Sequence, residues 1–275
     1  VRVDEIKNDD LAYPNTALLG LKLLATDQLS GATPNVNCIA KGLKIKTYAV
    51  MDGATPVPYE NYYWDQTTSK FRLLADDAEL SWDGSSYATA WSANPVWCLY
   101  DLIINNRYGL GEYISTTNID LAQFVEMAKY CDEKVPDGDG DYEKRFELDV
   151  VIDSPHTAVD ILIQLTSVFR AWAFYSTGTI KVKIDKPENP TQLFGMGNIL
   201  EGTFQQSWKP VKDVPNVIEV QYLDAQKNYE QEMVAYTDES ALSENPMRKR
   251  TVRLFVTGIS RALREARYAS LLAKY

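Results

Sequence analysis

Ala93-Asn94-Pro95-Val96-Trp97-Cys98-Leu99-Tyr100-Asp101-Leu102-Ile103-Ile104-Asn105-Asn106-Arg107-Tyr108-Gly109-Leu110-Gly111 is the stretch that decides the fold. The Asn94 side chain can accept from a free first-turn N–H, and Pro95 suits the first helical position, where its missing N–H costs nothing. Val96, Trp97, Leu99, Tyr100, Leu102, Ile103 and Ile104 cover most of the circumference, leaving Asp101 and Asn105 as a narrow polar strip. A helix so apolar is expected to be buried. Gly109 follows the last periodic residue and is expected to end the helix in the left-handed conformation.

Downstream, Leu121, Phe124, Val125, Ala128 and Cys131 recur at helical spacing and predict an amphipathic helix over 118–135, stopped by Pro136. Residues 145–152 alternate as a half-buried strand. Ser154-Pro155 is expected to cap a third helix running to Arg170, with Ala158, Ile161, Leu162, Leu165, Val168 and Phe169 as its stripe. A hairpin follows, 172–176 and 179–185 around Thr177-Gly178, with Ile180, Val182 and Ile184 inward. Residues 187–197 read as a loop. Further strands are expected at 200–208, 217–223, 229–236 and 248–257, and a last helix at 261–275 capped by Ser260.

Upstream, 16–26 is apolar on both faces and reads as a central strand or a short buried helix, with Gly20 and the short length favouring the strand, and 35–48 reads as an alternating strand with Gly42 at a bulge or bend. Residues 51–92 lose periodicity. Their aromatics Tyr59, Tyr62, Tyr63 and Trp64 can form a carbohydrate or partner platform, or belong to a loop folded onto its own core. The fold class expected is α+β: antiparallel β-sheets with about four helices packed on them.

The chain has 275 residues, 45% hydrophobic and 24% charged, as in ordinary globular proteins. It contains no apolar run of about 18 residues, so no membrane insertion is expected. The start lacks the design of a signal peptide. With no initiator Met and no stop after the last helix, the chain reads as a fragment. Cys38, Cys98 and Cys131 are widely spaced and odd in number, which favours free thiols over a disulfide framework or zinc site.

Net charge is −10, unevenly placed. Residues 245–275 hold eight basic side chains and one acid, a local +7 that leaves −17 for residues 1–244. An acidic body argues against a nucleic-acid reader; it suits a channel through which DNA slides without sticking, or solubility alone.

Bond chemistry finds little support. His156, the one histidine, falls near the start of the third helix with no second histidine or nucleophile motif, so a catalytic triad is excluded. Gly109-Leu110-Gly111 is not a phosphate loop, because no Gly-Lys-Ser/Thr follows. Asp137, Asp139 and Asp141 are a weak metal candidate: they alternate as an EF-hand loop begins, but Tyr142 stands where Gly is needed and Leu148 where a bidentate Glu is needed. A solvated acidic turn is the better reading. Nothing picks out a carboxylate pair, so neither enzymatic activity nor a cofactor is expected.

Trp82-Asp83-Gly84, Ala90-Trp91 and the 93–111 stretch together resemble a segment of the phage tail-tip hub, or host-specificity (tip attachment) protein J, family. The resemblance extends to Tyr13–Leu21 and the strand that follows from Pro34 to Ile45, to residues 145–187 and to Asn216–Tyr222. It implies a first hub region over 1–111 with a surface insertion at 51–92, and a second over 112–275. It implies that Trp91, Asn94, Pro95, Trp97, Tyr100, Arg107, Tyr108, Gly109 and Gly111 are structural core. It further implies a structural component of a phage or prophage tail tip or baseplate hub, trimeric in the intact protein, that closes the tail tube. Such a component takes part in host attachment and DNA ejection. Its expected partners are copies of itself and other tail-tip, tail-tube and tape-measure proteins, with DNA passing without specific binding. The expected location is the virion tail tip, after synthesis in the bacterial host cytoplasm. The alternatives are a carbohydrate- or receptor-binding adhesin module and a cell-wall glycosidase.

Overall fold

A computed structural model of the chain describes residues 16–20, 36, 38–136, 142–152, 154–186, 188–207, 210, 216–224, 227, 229–237, 239, 243 and 251–255. Contacts divide the chain into two units, Val1–Lys41 and Gly42–Tyr275. In the first, residues 16–20 form no strand and are exposed, Leu18 and Leu19 included, whereas 21–26 lie outside the described residues. Of the strand expected at 35–48, the last five residues form one, residues 38–43 do not, and Ile39 and Leu43 are exposed; 35 and 37 lie outside the described residues.

The second unit opens with β1 (Lys44–Tyr48), the short hairpin β2 (Met51–Asp52) and β3 (Thr55–Pro56), then β4 (Tyr62–Asp65), β5 (Lys70–Leu73), β6 (Glu79–Leu80) and β7 (Tyr87–Trp91). β1 pairs antiparallel with β7, and β4, β5 and β6 form a three-stranded antiparallel sheet. The stretch expected to be an aperiodic surface insertion is therefore a set of short strands. Strands of two to five residues are too short to show a period, which is why the alternation was invisible.

Helix α1 (Pro95–Ile104) then packs on β1, on α2 (Leu121–Cys131) and on α3 (Ala158–Val168). Asn94 caps α1 as expected, accepting from the N–H of Val96 at 3.0 Å and of Trp97 at 3.4 Å. Asp120 caps α2 and Thr157 caps α3. The third helix thus starts later than Ser154-Pro155: Thr157 accepts from the Asp160 N–H at 3.2 Å and donates to its carboxylate at 2.6 Å, a reciprocal cap that the proline cannot offer. Asp132, not Pro136, ends α2, and Pro136 lies in β8 (Lys134–Pro136), paired with β9 (Tyr142–Lys144). Residues 146–152 form no strand, yet Phe146 and Leu148 are buried, their N–H groups donating to the carbonyls of Cys131 and Ala93.

The hairpin β10 (Ala171–Ser176) and β11 (Thr179–Ile184) forms as expected, with Thr177 and Gly178 both at positive φ, the requirement of a tight hairpin turn. In the last sheet β12 (Val217–Asp224) lies between antiparallel β13 (Glu230–Thr237) and β14 (Thr251–Phe255). The β12–β14 pair is parallel, unlike the other strand pairs among the described residues, and isolated parallel bridges join Trp64 to Glu133 and Ile119 to Ile180. Residues 200–207 make a turn rather than a strand, because the Thr203 N–H and hydroxyl both return to the Leu200 carbonyl. The architecture is α+β, with three α-helices among the described residues; the helix expected at 261–275 lies outside them.

One hydrophobic cluster runs from Ile45 to Ile184, drawing on residues before and after position 112. Trp97 is at its centre, fully buried, edge-on to Tyr48 at 5.1 Å, Tyr87 at 5.6 Å and Tyr100 at 5.8 Å. Such pairs contribute about 0.5–1.5 kcal/mol each beyond the area they bury.

Candidate functional site

The buried polar and aromatic side chains gather where α1, α2 and the β4–β6 sheet meet, and they are arranged for cohesion. Asn94 is fully buried and ties two helices: while its oxygen caps α1, its Nδ2 donates to the Ala128 carbonyl of α2 at 2.9 Å. At the other end, α1 is not closed by a left-handed glycine. The chain turns at Asn105 and folds back, so that the Leu110 N–H reaches the Leu102 carbonyl at 2.9 Å and the Gly109 N–H the Asn105 carbonyl at 3.1 Å. A Cβ on Gly109 would overlap the Leu102 carbonyl, and one on Gly111 the Ile104 carbonyl. Close approach, not φ, requires these glycines.

Of the residues expected in the core, Asn94, Pro95, Trp97 and Tyr100 are buried, and Trp91, Gly109 and Gly111 are half-buried. Arg107 and Tyr108 are exposed. They lie on the returning loop above the polar strip of α1, where the Tyr108 hydroxyl donates to the Asp101 carboxylate.

Tyr59, Tyr62, Tyr63 and Trp64 are no surface platform; all four are buried. Both faces of β4 are covered. Tyr62 and Trp64 pack on Phe71 at 5.4 and 4.9 Å, while Tyr63 turns to the other face and donates to Asp77 at 3.0 Å. Burial and the Asp77 carboxylate together push the Tyr63 hydroxyl up to about 12.

A buried ion pair lies beneath these rings. The Lys144 ammonium sits 3.7 Å from Asp132 Oδ1, donates to the Tyr59 carbonyl at 2.6 Å and lies over the Tyr59 ring. The Tyr59 hydroxyl donates to the same Asp132 oxygen at 3.0 Å. Burial raises the Asp132 carboxyl above its usual range, against the opposing pull of Lys144 and the Tyr59 hydroxyl. Sequence reasoning missed this pair: Asp132 reads as a helix-end residue and Lys144 as one charge in an alternating run.

A shallow groove of about 340 Å³ is lined by Tyr63, Trp64, Asp65, Asp77, Glu133, Lys134 and Tyr142, among others. Its acids are each bound to a cation: Asp65 to Arg72 at 2.8 Å, Asp77 to Lys134 at 3.0 Å and Glu133 to Arg145 at 2.7 Å. Asp137, Asp139 and Asp141 lie outside the described residues. His156 is exposed ahead of the α3 cap, 3.1 Å from the Ser154 hydroxyl. Cys38, Cys98 and Cys131 are free thiols, and burial pushes Cys98 up to about 12.

The exposed aromatics lie elsewhere. Trp172 and Phe174 project from the outer face of β10, beside Lys181 and Lys183 of β11, and Leu193, Phe194, Met196, Leu200 and Phe204 stand out from the segment that follows. Large exposed apolar groups gathered in this way mark surfaces that contact other molecules.

No family model matches the sequence. Curated relatives do, among them the two that follow. Over 173 residues, 63% of this chain and 14% of the relative, it is 37% identical to "Tip attachment protein J" of Escherichia phage SECphi27. Over 229 residues, 83% of this chain and 18% of the relative, it is 26% identical to "Tip attachment protein J" of Escherichia phage SECphi4. The matched region thus spans less than a fifth of either relative. The chain is thus similar to one stretch of the phage tip attachment proteins J.

Proposed function

We propose that the chain is a structural part of a phage or prophage tail tip, a hub component that closes the tail tube and takes part in host attachment and DNA ejection. The observation that carries this reading is the match to two tip attachment proteins, one of them over 83% of the chain. The architecture agrees with it. The aromatics that might have lined a cleft are packed inside, the groove acids are neutralised by cations, and the large exposed apolar groups form contact surfaces. The work is done by interfaces rather than bond chemistry, with copies of itself and with tail-tube, tape-measure and other tail-tip proteins. The net charge of −10 keeps DNA from binding as it passes.

Antibodies raised against the chain, applied to virions of the phage that encodes it and viewed by electron microscopy, test the reading. Label at the tail end distal to the head, with loss of adsorption, is expected. Label on the head or along the tail shaft, or none on intact and disrupted virions, overturns it.

A further inference from the structure

The Asp132–Lys144 pair has a geometry that can serve more than cohesion. Both side chains are shut off from solvent, at 0% and 3% exposure, with the ammonium nitrogen 3.7 Å from Asp132 Oδ1. Two tyrosine rings enclose the ammonium: Nζ lies 3.1 Å from the centre of Tyr59 and 4.6 Å from that of Tyr62. Holding two ions away from water is expensive, and a buried pair escapes the cost by becoming neutral. The polar contacts around the two groups are uneven. The Tyr59 carbonyl accepts from Nζ at 2.6 Å and the Tyr59 hydroxyl donates to Oδ1 at 3.0 Å. Asp132 Oδ2 is buried with no hydrogen-bond partner among the described residues.

An orphaned oxygen is a cost to a permanent ion pair. The same arrangement suits acyl transfer. The Tyr59 hydroxyl stands at the oxygen where negative charge develops when a nucleophile adds to Cγ, and the oxygen without a partner is the one free to depart. A nitrogen held against the carboxyl acts at a high effective concentration, and exclusion of water protects the product from hydrolysis. Burial raises the Asp132 carboxyl, with a smaller push from Glu147 and against Lys144, the Tyr59 hydroxyl and the Asn94 amide, so the acid form that condenses is favoured.

We propose that Asp132 and Lys144 condense into an intramolecular amide bond between Asp132 Cγ and Lys144 Nζ, with no added reagent. The pair first exchanges a proton to become a carboxylic acid and an amine. Nζ then adds to Cγ and the Cγ–Oδ2 bond breaks. Oδ2 leaves as water with the two protons that the ammonium gives up, and nothing is oxidised or reduced. The ion pair is the precursor, and its titration is that of the chain before condensation. The bond ties the end of α2 to β9 and closes a covalent ring through the β8–β9 hairpin, so that the hairpin cannot peel from the helix. The chemistry depends on these side chains alone and not on the tail-tip reading.

The chain is sampled over time after cell-free synthesis at neutral pH, with intact masses and tryptic peptides measured by mass spectrometry. Loss of one water is expected, together with a branched peptide in which 130–134 is joined through Asp132 to 135–145, uncleaved at Lys144. Lys144→Arg keeps the cation but offers no amine, and is expected to hold the full mass. Tyr59→Phe is expected to slow the loss of water by about 100-fold, and an unchanged rate overturns the part given to its hydroxyl. A wild-type chain that keeps its full mass overturns the bond, even where a variant fails to fold. So does a loss of water that persists in Lys144→Arg, or one that maps elsewhere, such as to a cyclic imide at Asp139-Gly140.

Discussion

Two clusters of aromatic residues in this chain have opposite fates. Tyr59, Tyr62, Tyr63 and Trp64 lie in a stretch of short strands whose sequence shows no period, and all are buried. Trp172, Phe174 and Tyr175 lie in a regular strand and are 52%, 38% and 72% exposed. The difference comes from their neighbours. β4 is the edge of a small sheet whose two faces are covered, by Phe71 on one and by Asp77 with Lys134 on the other, so every residue of Tyr62–Trp64 finds a partner. β10 reads Ala-Trp-Ala-Phe, and its alanines turn toward the core while Trp172 and Phe174 turn out; Tyr175 shares the face of the alanines but lies at the end next to the hairpin turn. Aromatic content alone does not locate a contact surface; which face holds the small residues does.

The contrast can be broken by substitution. Trp97→Ala, at the centre of the inward cluster, is expected to cost about 3–5 kcal/mol in urea unfolding, the range for deleting a buried Trp or Phe side chain. Next, Lys144→Met leaves Asp132 buried without its cation and is expected to cost about 3 kcal/mol; adding Asp132→Asn should restore part of that loss. Gly109→Ala drives a methyl group into the Leu102 carbonyl, for an expected loss of about 1–3 kcal/mol.

A pH series sharpens the same contrast between inside and outside. Ser86 and the N–H groups of Ser85 and Ser86 hold the exposed Asp83 down from 3.8 to about 2. Its contribution to stability is therefore present above pH 3.8 and is lost as pH falls through about 2, so the melting temperatures of wild type and Asp83→Asn should converge there. Asp132 runs the other way. Its raised folded value means that its contribution is present below the ordinary carboxylate range and lost as pH rises through the folded value. The smallest effect is expected at Trp172→Ala, within about 0.5 kcal/mol of wild type by urea unfolding, because its ring is half in solvent.

Much of the fold was legible where periods are long. The cap and apolar face of α1, the stripes of α2 and α3, and the 171–184 hairpin with its Thr-Gly turn all follow from spacing and turn chemistry. Strands of two to four residues carry no such signal, so the β2–β6 region read as a loop and its aromatics as surface. The family resemblance places Arg107 and Tyr108 in the core; nothing local in the sequence reveals that the chain folds back there with these side chains outward. The Asp132–Lys144 pair joins residues whose proximity only the packing of β9 beneath the rings creates.

Asn94 has one consequence of a different kind. A single carboxamide serves the start of one helix and the end of another, so neither helix can loosen there without releasing the other. The amide protons of Val96 and Trp97 should therefore exchange with deuterium in step with those that close the last turn of α2, as one opening unit. Stress applied to either helix would be felt at once by its neighbour.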